Sequence, residues 1–522
     1  MQRLRQEGLT TCSVVWFKRD LRLADHAALQ QAALRGPFLC VYIVEPSLWA
    51  APDVSLQHYR FIRESLTELD AALRALGGRL HMLWGECGPV LERLRLLTGF
   101  THLFSHEETG NSLSYQRDRA VADWCRNRGV TWGEYAQFGV VRRLPSREGW
   151  QQRWDAQMQG PAIPPPDGPG LQFVALDWPG APVPPDHQVV AGSQANPPAR
   201  QRGGRSRGLA LLHSFISQRS ERYRGGISSP LSAPAACSRL SPYLAYGCLS
   251  LREVVQAARR PLGVEAEAAG RRQAGLRAFI SRLYWHCHFI QKLESEPALE
   301  WRNLHRGYDG LREPDWNPAH FEALTSGRTG WPMVDACVAM LRETGWINFR
   351  MRAMLVSVAA YPLWLHWQPV GDWLAGQFLD YEPGIHWSQM QMQSGTTGIN
   401  TTRVYNPVKQ AQDHDPQGLF VRRWLPALRR VPDVWLFEPW RMPPEVQDRC
   451  GVRVGVDIPL PLVDLTAATR AAKERLHARR REPEVRAGKA AVLERHGSRA
   501  LPVRRTRAQA RPAANQQMGL EF

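Results

Sequence analysis

The sequence predicts a doubly wound parallel α/β domain followed by a large all-α domain, on three observations. Apolar β-rich runs alternate with helical segments through the first 136 residues. A Pro/Gly-rich stretch interrupts the chain at 159–204, and helical periodicity alone follows it to about residue 440. A chain of 522 residues exceeds what a single core fills. The expected layout is an α/β domain over 1–140, a linker over 141–205, a helical domain over 206–465 and a partly disordered basic tail over 466–522.

The strands are read at "CSVVWF" (12–17), "FLCVYIV" (38–44), "RLHMLWG" (79–85), "THLFSHE" (101–107) and "GVTWGEY" (129–135), with helices near 25–35, 56–77, 88–97 and 112–128. Five short strands, each followed by a helix, describe a parallel sheet covered on both faces. No G-x-G-x-x-G or Walker loop follows any of them, so a dinucleotide reading of this half is weak. The linker holds "GPAIPPPDGPG", "WPGAPVPPD" and "ANPPARQRGG", which sustain neither helix nor central strand. Beyond it, "GLALLHSFISQRSERY", "GLRAFISRLYWHCHFIQKLE" and "FRMRAMLVSVAAYPLWLHW" are helical.

No apolar run is long enough for a membrane span, and the N-terminus lacks a signal-peptide core, so a cytoplasmic monomer is expected. Nine scattered cysteines without a C-x-x-C pair suit reduced thiols. The net charge of +17 is uneven, with fourteen Lys/Arg against four Asp/Glu between Arg470 and Arg511. That excess favours a polyanionic partner. Twelve of the twenty tryptophans lie between Trp285 and Trp440, more indole N–H groups than a plain core satisfies, which points to a large planar cofactor. "HCH" (286–288) is a poor metal site, since consecutive helical residues point in different directions; no metal is expected.

"WFKRDLRLADHAAL" (16–29), "SRLSPYLAYGCLSLREV" (238–254), the stretch from "DGLREPDW" to "INFRMRAML" and "VYNPVKQAQDHDPQGLFVRRWLPAL" together resemble the photolyase/cryptochrome family. The resemblance implies an α/β antenna domain, a helical domain that binds a folded FAD, and blue-light electron transfer. It places Tyr223, Cys237, Ser238, Arg239, Leu240, Ser241, Phe279 and Arg282 at the flavin, with Cys237 where many relatives have Thr, while His386 either faces the flavin or is a satisfied interior histidine. Ser250 and Glu253 form a capping-box pattern in the same segment.

The fragment "LDYEPGIHWSQMQMQSG" (379–395) alternates like a strand, yet the resemblance makes it flavin-pocket lining. Asp380 then pairs with Arg352, as a buried carboxylate requires, and Glu382 faces the adenosine side. Met390 stands where relatives place the first tryptophan of an electron chain. The outer members are matched by Trp367 and Trp316, leaving Trp387 or Trp364 to substitute. Trp285 is the aromatic against which a flipped base would stack.

Arg282 and Phe349 replace the Glu and Asn of many cyclobutane-dimer photolyases, and Phe349 and Ala353 replace the histidines of six-four photolyases. Only Cys450 follows Cys337, so no iron–sulfur cluster is expected. "EETGNSLSYQRD" (107–118) lacks an evident Asn-Glu pair of folate-binding relatives, which leaves the antenna chromophore unidentified. The expected function is an FAD-dependent photolyase acting on lesion-containing double-stranded DNA; the alternative is a cryptochrome photoreceptor.

Overall fold

The computed structural model describes residues 12–167, 170–190, 192–264, 270–399 and 402–496. Strands β1 (Ser13–Phe17), β2 (Phe38–Val44), β3 (Leu80–Trp84), β4 (His102–His106) and β5 (Thr131–Tyr135) form one parallel sheet in the order β3-β2-β1-β4-β5. Helices α1 (Ala27–Arg35), α2 (Leu56–Ala75), α3 (Cys87–Thr98) and α4 (Ser112–Arg128) connect them. Every residue of β1 and β2 is buried, which is why those runs are continuously apolar rather than alternating.

The strand order reverses between β1 and β4, which pair from Ser13↔His102 to Val15↔Phe104. The loops after these two strands therefore open side by side, the position at which doubly wound sheets hold ligands. Buried Asp20 ties them together. Its carboxylate lies 2.8 Å from His106 Nδ1 and 3.0 Å from His26 Nε2, while His26 Nδ1 accepts the Leu29 N–H. The Asp20–His106 hydrogen bond and the close His26 contact brace the two loops against each other.

The Pro/Gly-rich connection is more anchored than its composition suggests. It contains helix α5 (Trp150–Gln159), whose Trp150, Trp154 and Met158 form a buried stripe at i, i+4 and i+8. Further on, Phe38 N–H donates to Gln172 O and Val174 N–H to Phe38 O, so the segment pairs with the start of β2. Its prolines obscure the second feature, whereas α5 itself contains none.

The helical part is built on α6 (Arg271–Ser295), α7 (Phe349–Ala360), α8 (Trp367–Gln377) and α9 (Pro383–Ser394), with α9 packed against the other three. Gly384 permits the closest approach, since a Cβ there would lie 2.5 Å from Ile290 Cα on α6. Among the described residues this part contains no sheet, only an isolated bridge between Val454 and Ile458. The capping box opening helix Leu251–Val264 is formed: Ser250 N–H donates to Glu253, and Glu253 N–H to Ser250 Oγ.

Residues 466–496 differ from the tail that their charge suggests. They form α10 (Leu465–Arg481) and α11 (Pro483–His496), which bury Ala472, Leu476 and Val485 with Tyr308, Ala360 and Tyr361. Basic residues occupy the solvent side, so charge content masks a sparse apolar stripe. Residues 497–522 lie outside the described part. Leu476→Ala should cost about 2–5 kcal/mol, as for other buried leucines. A denaturation midpoint equal to that of the parent chain would show that α10 is not docked.

Candidate functional site

A cleft of ≈ 320 Å³ opens among α6, α7 and α9, within the usual range for small-molecule sites. Its central charges are Arg352 on α7 and Asp380 in the turn after α8. Arg352 Nη2 donates to Asp380 Oδ2 at 3.0 Å, and Nη1 lies 3.0 Å from Oδ1 as an ion-pair contact. Arg352 is held in aim by its Nε donation to Ile347 O at 2.9 Å and by the Phe378 ring 4.2 Å beneath it. Burial alone would push the Asp380 pKa up; Arg352 more than offsets this and holds it below the ordinary carboxylate value.

A second cation, Arg239, faces the same cleft with its guanidinium 3.7 Å from the centre of the Trp346 ring. Its φ of +63° lies in the left-handed region, a conformation that costs a non-glycine residue energy and often marks a ligand site. Burial draws its pKa down to about 10, with Asp380 opposing, so it stays charged at neutral pH. Burial raises the Cys237 thiol to about 11, which makes it a protonated wall rather than a nucleophile.

Glu382 is the N-cap residue of α9, with Arg19 of the β1 loop 3.3 Å away. Burial nonetheless lifts its pKa to about 7. Burial also depresses His386 to about 4, so this imidazole is neutral; its Nε2 donates to Gly371 O at 2.9 Å. It both lines the cleft and has a satisfied interior position.

The Gln/Met run is helix, not strand. Gln389, Met390 and Gln393 face the cleft, whereas the Gln391 amide turns away to Leu299 O and Arg302 O, each at 2.7 Å. All residues from His386 to Ser394 are buried, so the helix has no polar face to reveal its period. Among the buried polar atoms on the cleft's residues that lack a partner are Asn348 Oδ1, Glu382 Oε1, Gln389 Nε2 and Gln393 Oε1. Leaving such atoms unpaired is costly, and a ligand with a hydrogen-bonding edge would satisfy them. With Arg239, Ser238 and Ser241 on the same cleft for a pyrophosphate, this donor set fits FAD.

Tyr223, Phe279, Arg282 and the half-buried Trp285 also line the cleft. Leu240 does not: its side chain belongs to the neighbouring core at 1% exposure, where an apolar group gains more than beside polar Ser238 and Ser241. Trp387 and Trp367 lie in the adjoining core with ring centroids 5.8 Å apart, and Trp387 is 4.9 Å from His386. Trp367 donates to Asn303 Oδ1 at 2.8 Å. Trp316 packs on Phe321 at 5.2 Å, and among the described residues no ring contact joins it to Trp367. In "HCH", His286 enters the cleft, Cys287 enters the core and His288 stands edge-on to Trp285, so the three diverge.

Sequence reasoning missed Trp346 and Asn348 as lining residues, although both sit within a fragment already singled out, while the Gln/Met run lines the cleft through Gln389 and Gln393 as expected. Arg19 was missed too. This side chain crosses from the β1 loop to donate to Ala245 O and Tyr381 O, both at 2.8 Å. A second cleft lies where the sheet order reverses, with Lys18, Tyr42, Glu45, Glu108, Asn111 and Arg117 among its walls. Asp380→Ala should leave Arg352 as an uncompensated, partly buried cation, weaken FAD retention and lower the melting temperature. Full flavin occupancy after gel filtration, with an unchanged melting temperature, would refute this role.

Comparison with known proteins gives a concordant result. Residues 13–141 match the family model described as DNA photolyase, and residues 279–478 match that of the FAD binding domain of DNA photolyase. The chain is 30% identical to the deoxyribodipyrimidine photo-lyase of Streptomyces griseus, over 87% of this chain and 97% of that one. It is 28% identical to cryptochrome DASH of Gloeobacter violaceus, over 87% and 94%. The structure of a class III photolyase from Agrobacterium tumefaciens superposes with a TM-score of 0.77 at 25% identity, covering 91% of this chain and 99% of that one.

Proposed function

This chain belongs to the photolyase/cryptochrome family with FAD as its cofactor, and within that family we propose a DNA photolyase that repairs pyrimidine dimers. The observation that carries the proposal is one shared cleft, in which Trp285 stands with Arg239 and the Arg352–Asp380 pair. FAD, when bound, supplies the electron made available by blue light. Trp285 offers an aromatic face to a flipped base. Arg352 and Asp380 fix the charge beside the cofactor, and Arg239 adds positive potential. The overall charge of +17 favours duplex phosphates. An antenna chromophore would occupy the second cleft, whose Lys18, Arg117 and acidic neighbours offer polar partners.

Arg282 and Phe349 favour a second reading, that of a photoreceptor without repair, because they occupy positions where cyclobutane-dimer photolyases carry Glu and Asn. Illumination of the FAD-loaded protein with dimer-containing and six-four-containing oligonucleotides separates the two. Restoration of the dimer strand is expected; photoreduction without restoration of either substrate would favour the receptor. Trp285→Ala should retain nonspecific DNA binding but lose ~1–3 kcal/mol of lesion preference, the worth of one stacked base. Equal lesion preference in that variant would remove Trp285 from the contact.

Photoreduction offers a further check on the aromatic residues. With Met390 on the cleft and Trp387 next to both His386 and Trp367, we assign the first indole relay to Trp387. Trp387→Phe should slow thiol-supported bleaching of the oxidised-flavin band more than Trp316→Phe does. Bleaching that is insensitive to Trp387→Phe would exclude this route.

A further inference from the structure

Away from the flavin cleft, four basic side chains converge where the segment before α5 meets α6 and the end of α11. Arg147, His288, Lys292 and His496 are 7%, 3%, 8% and 2% exposed. Arg147 Nη1 lies 3.5 Å from His288 Nδ1, a contact at the limit of hydrogen bonding. Its Nε and Nη2 are buried without a partner, as is His496 Nδ1. Among the described residues, no carboxylate forms an ion pair with Arg147, His288 or Lys292. Glu296 reaches only the edge, 4.0 Å from His496 Nε2, and is already engaged by Arg495.

Such a group of cations has two ways to avoid the cost of burial. Lys292 and the histidines can release protons, and burial with mutual repulsion already lowers Lys292 to about 7 and His496 to about 3. Arg147 has no such escape at neutral pH, because a guanidinium keeps its proton. A buried arginine with two idle N–H groups calls for an anion.

The surroundings narrow the chemistry. Arg147 lies over the Trp150 ring at 5.5 Å, and His288 stands against Trp285 at 4.8 Å, so an aromatic ring flanks each of these two donors. Helix α5 begins three residues after Arg147 with no side-chain cap, which adds positive potential from its N-terminus. Convergent donors from a guanidinium, an ammonium and two imidazoles suit several acceptor oxygens on one small centre.

We propose that Arg147, His288, Lys292 and His496 form a binding site for a small tetrahedral oxyanion of the phosphate class, separate from the FAD cleft. The bound anion neutralises the cluster and favours protonated Lys292 and His288. Because His288 touches Trp285, occupancy also sets the charge next to a wall of the flavin cleft. The proposal does not depend on whether the protein repairs DNA.

The test uses the full-length, FAD-loaded protein, with melting followed by far-ultraviolet circular dichroism. Inorganic phosphate replaces chloride at constant ionic strength, and sulfate is titrated in parallel. A saturable rise in melting temperature is expected, as for any ligand bound only by the folded state. Arg147→Met and Lys292→Met should each weaken the apparent phosphate affinity by about tenfold or more, from loss of a charged hydrogen-bond donor. A linear, non-saturating rise shared by parent and variants would be a general salt effect and would overturn the site, as would equal melting in phosphate and chloride. Should Arg147→Met fail to fold, phosphorus-31 line broadening with the parent and Lys292→Met proteins decides. Equal broadening, or none with either, rejects the proposal.

Discussion

Asp380 gives up hydration that only a well-aligned cation replaces, and Arg352 replaces it through two contacts of 3.0 Å each. The alignment comes from the fold. Arg352 lies on the first turn of α7, and its guanidinium is fixed by Ile347 O and the Phe378 ring. Asp380 sits between α8 and α9, so the pair also determines how α9 enters the cleft. The Asp380 charge could not stay buried without Arg352. The cleft is thus organised around an electrostatic constraint, with the apolar packing of α6 and α9 arranged about it.

Arg19 extends that organisation across the molecule. The β1 loop sends it to two carbonyls of the helical part and to Glu382, so the sheet's topological switch and the flavin cleft share one side chain. Tyr381 makes a second crossing, its hydroxyl donating to Asp53 Oδ2 at 2.6 Å. Residues 380–382 therefore serve three partners in sequence: Arg352, Asp53 and Arg19. This explains why two acids flank a tyrosine immediately before an apolar helix.

Much of this is visible in the sequence where local physics acts alone. Strands and helices of the first 135 residues follow from apolar runs and their spacing, since burial on both faces leaves few alternatives. Asp380 and Arg352 were legible through a resemblance that their chemistry supports. The Gln/Met helix was not legible by period, because burial on every side erases amphipathicity. Helices α10 and α11 were hidden by arginines around a narrow apolar stripe. Arg19 and the cluster around Arg147 are invisible for a different reason. Their partners lie more than a hundred residues away, and only the tertiary fold brings them together.

The cleft leaves polar atoms unpaired at some expense in stability, an expense that bound FAD removes. Gln389 and Gln393 test it together, because they bond to each other at 3.1 Å and each leaves one further atom idle. Removing both partners of a buried hydrogen bond is close to neutral, whereas idle polar atoms are a burden. The decisive measurement is FAD titration into the apoprotein carrying Gln389→Leu and Gln393→Leu, with the melting temperature of that apoprotein recorded alongside. An apoprotein at least as stable as the parent is expected, with FAD binding weaker by about tenfold or more. Parent-like FAD affinity in the double variant would contradict it.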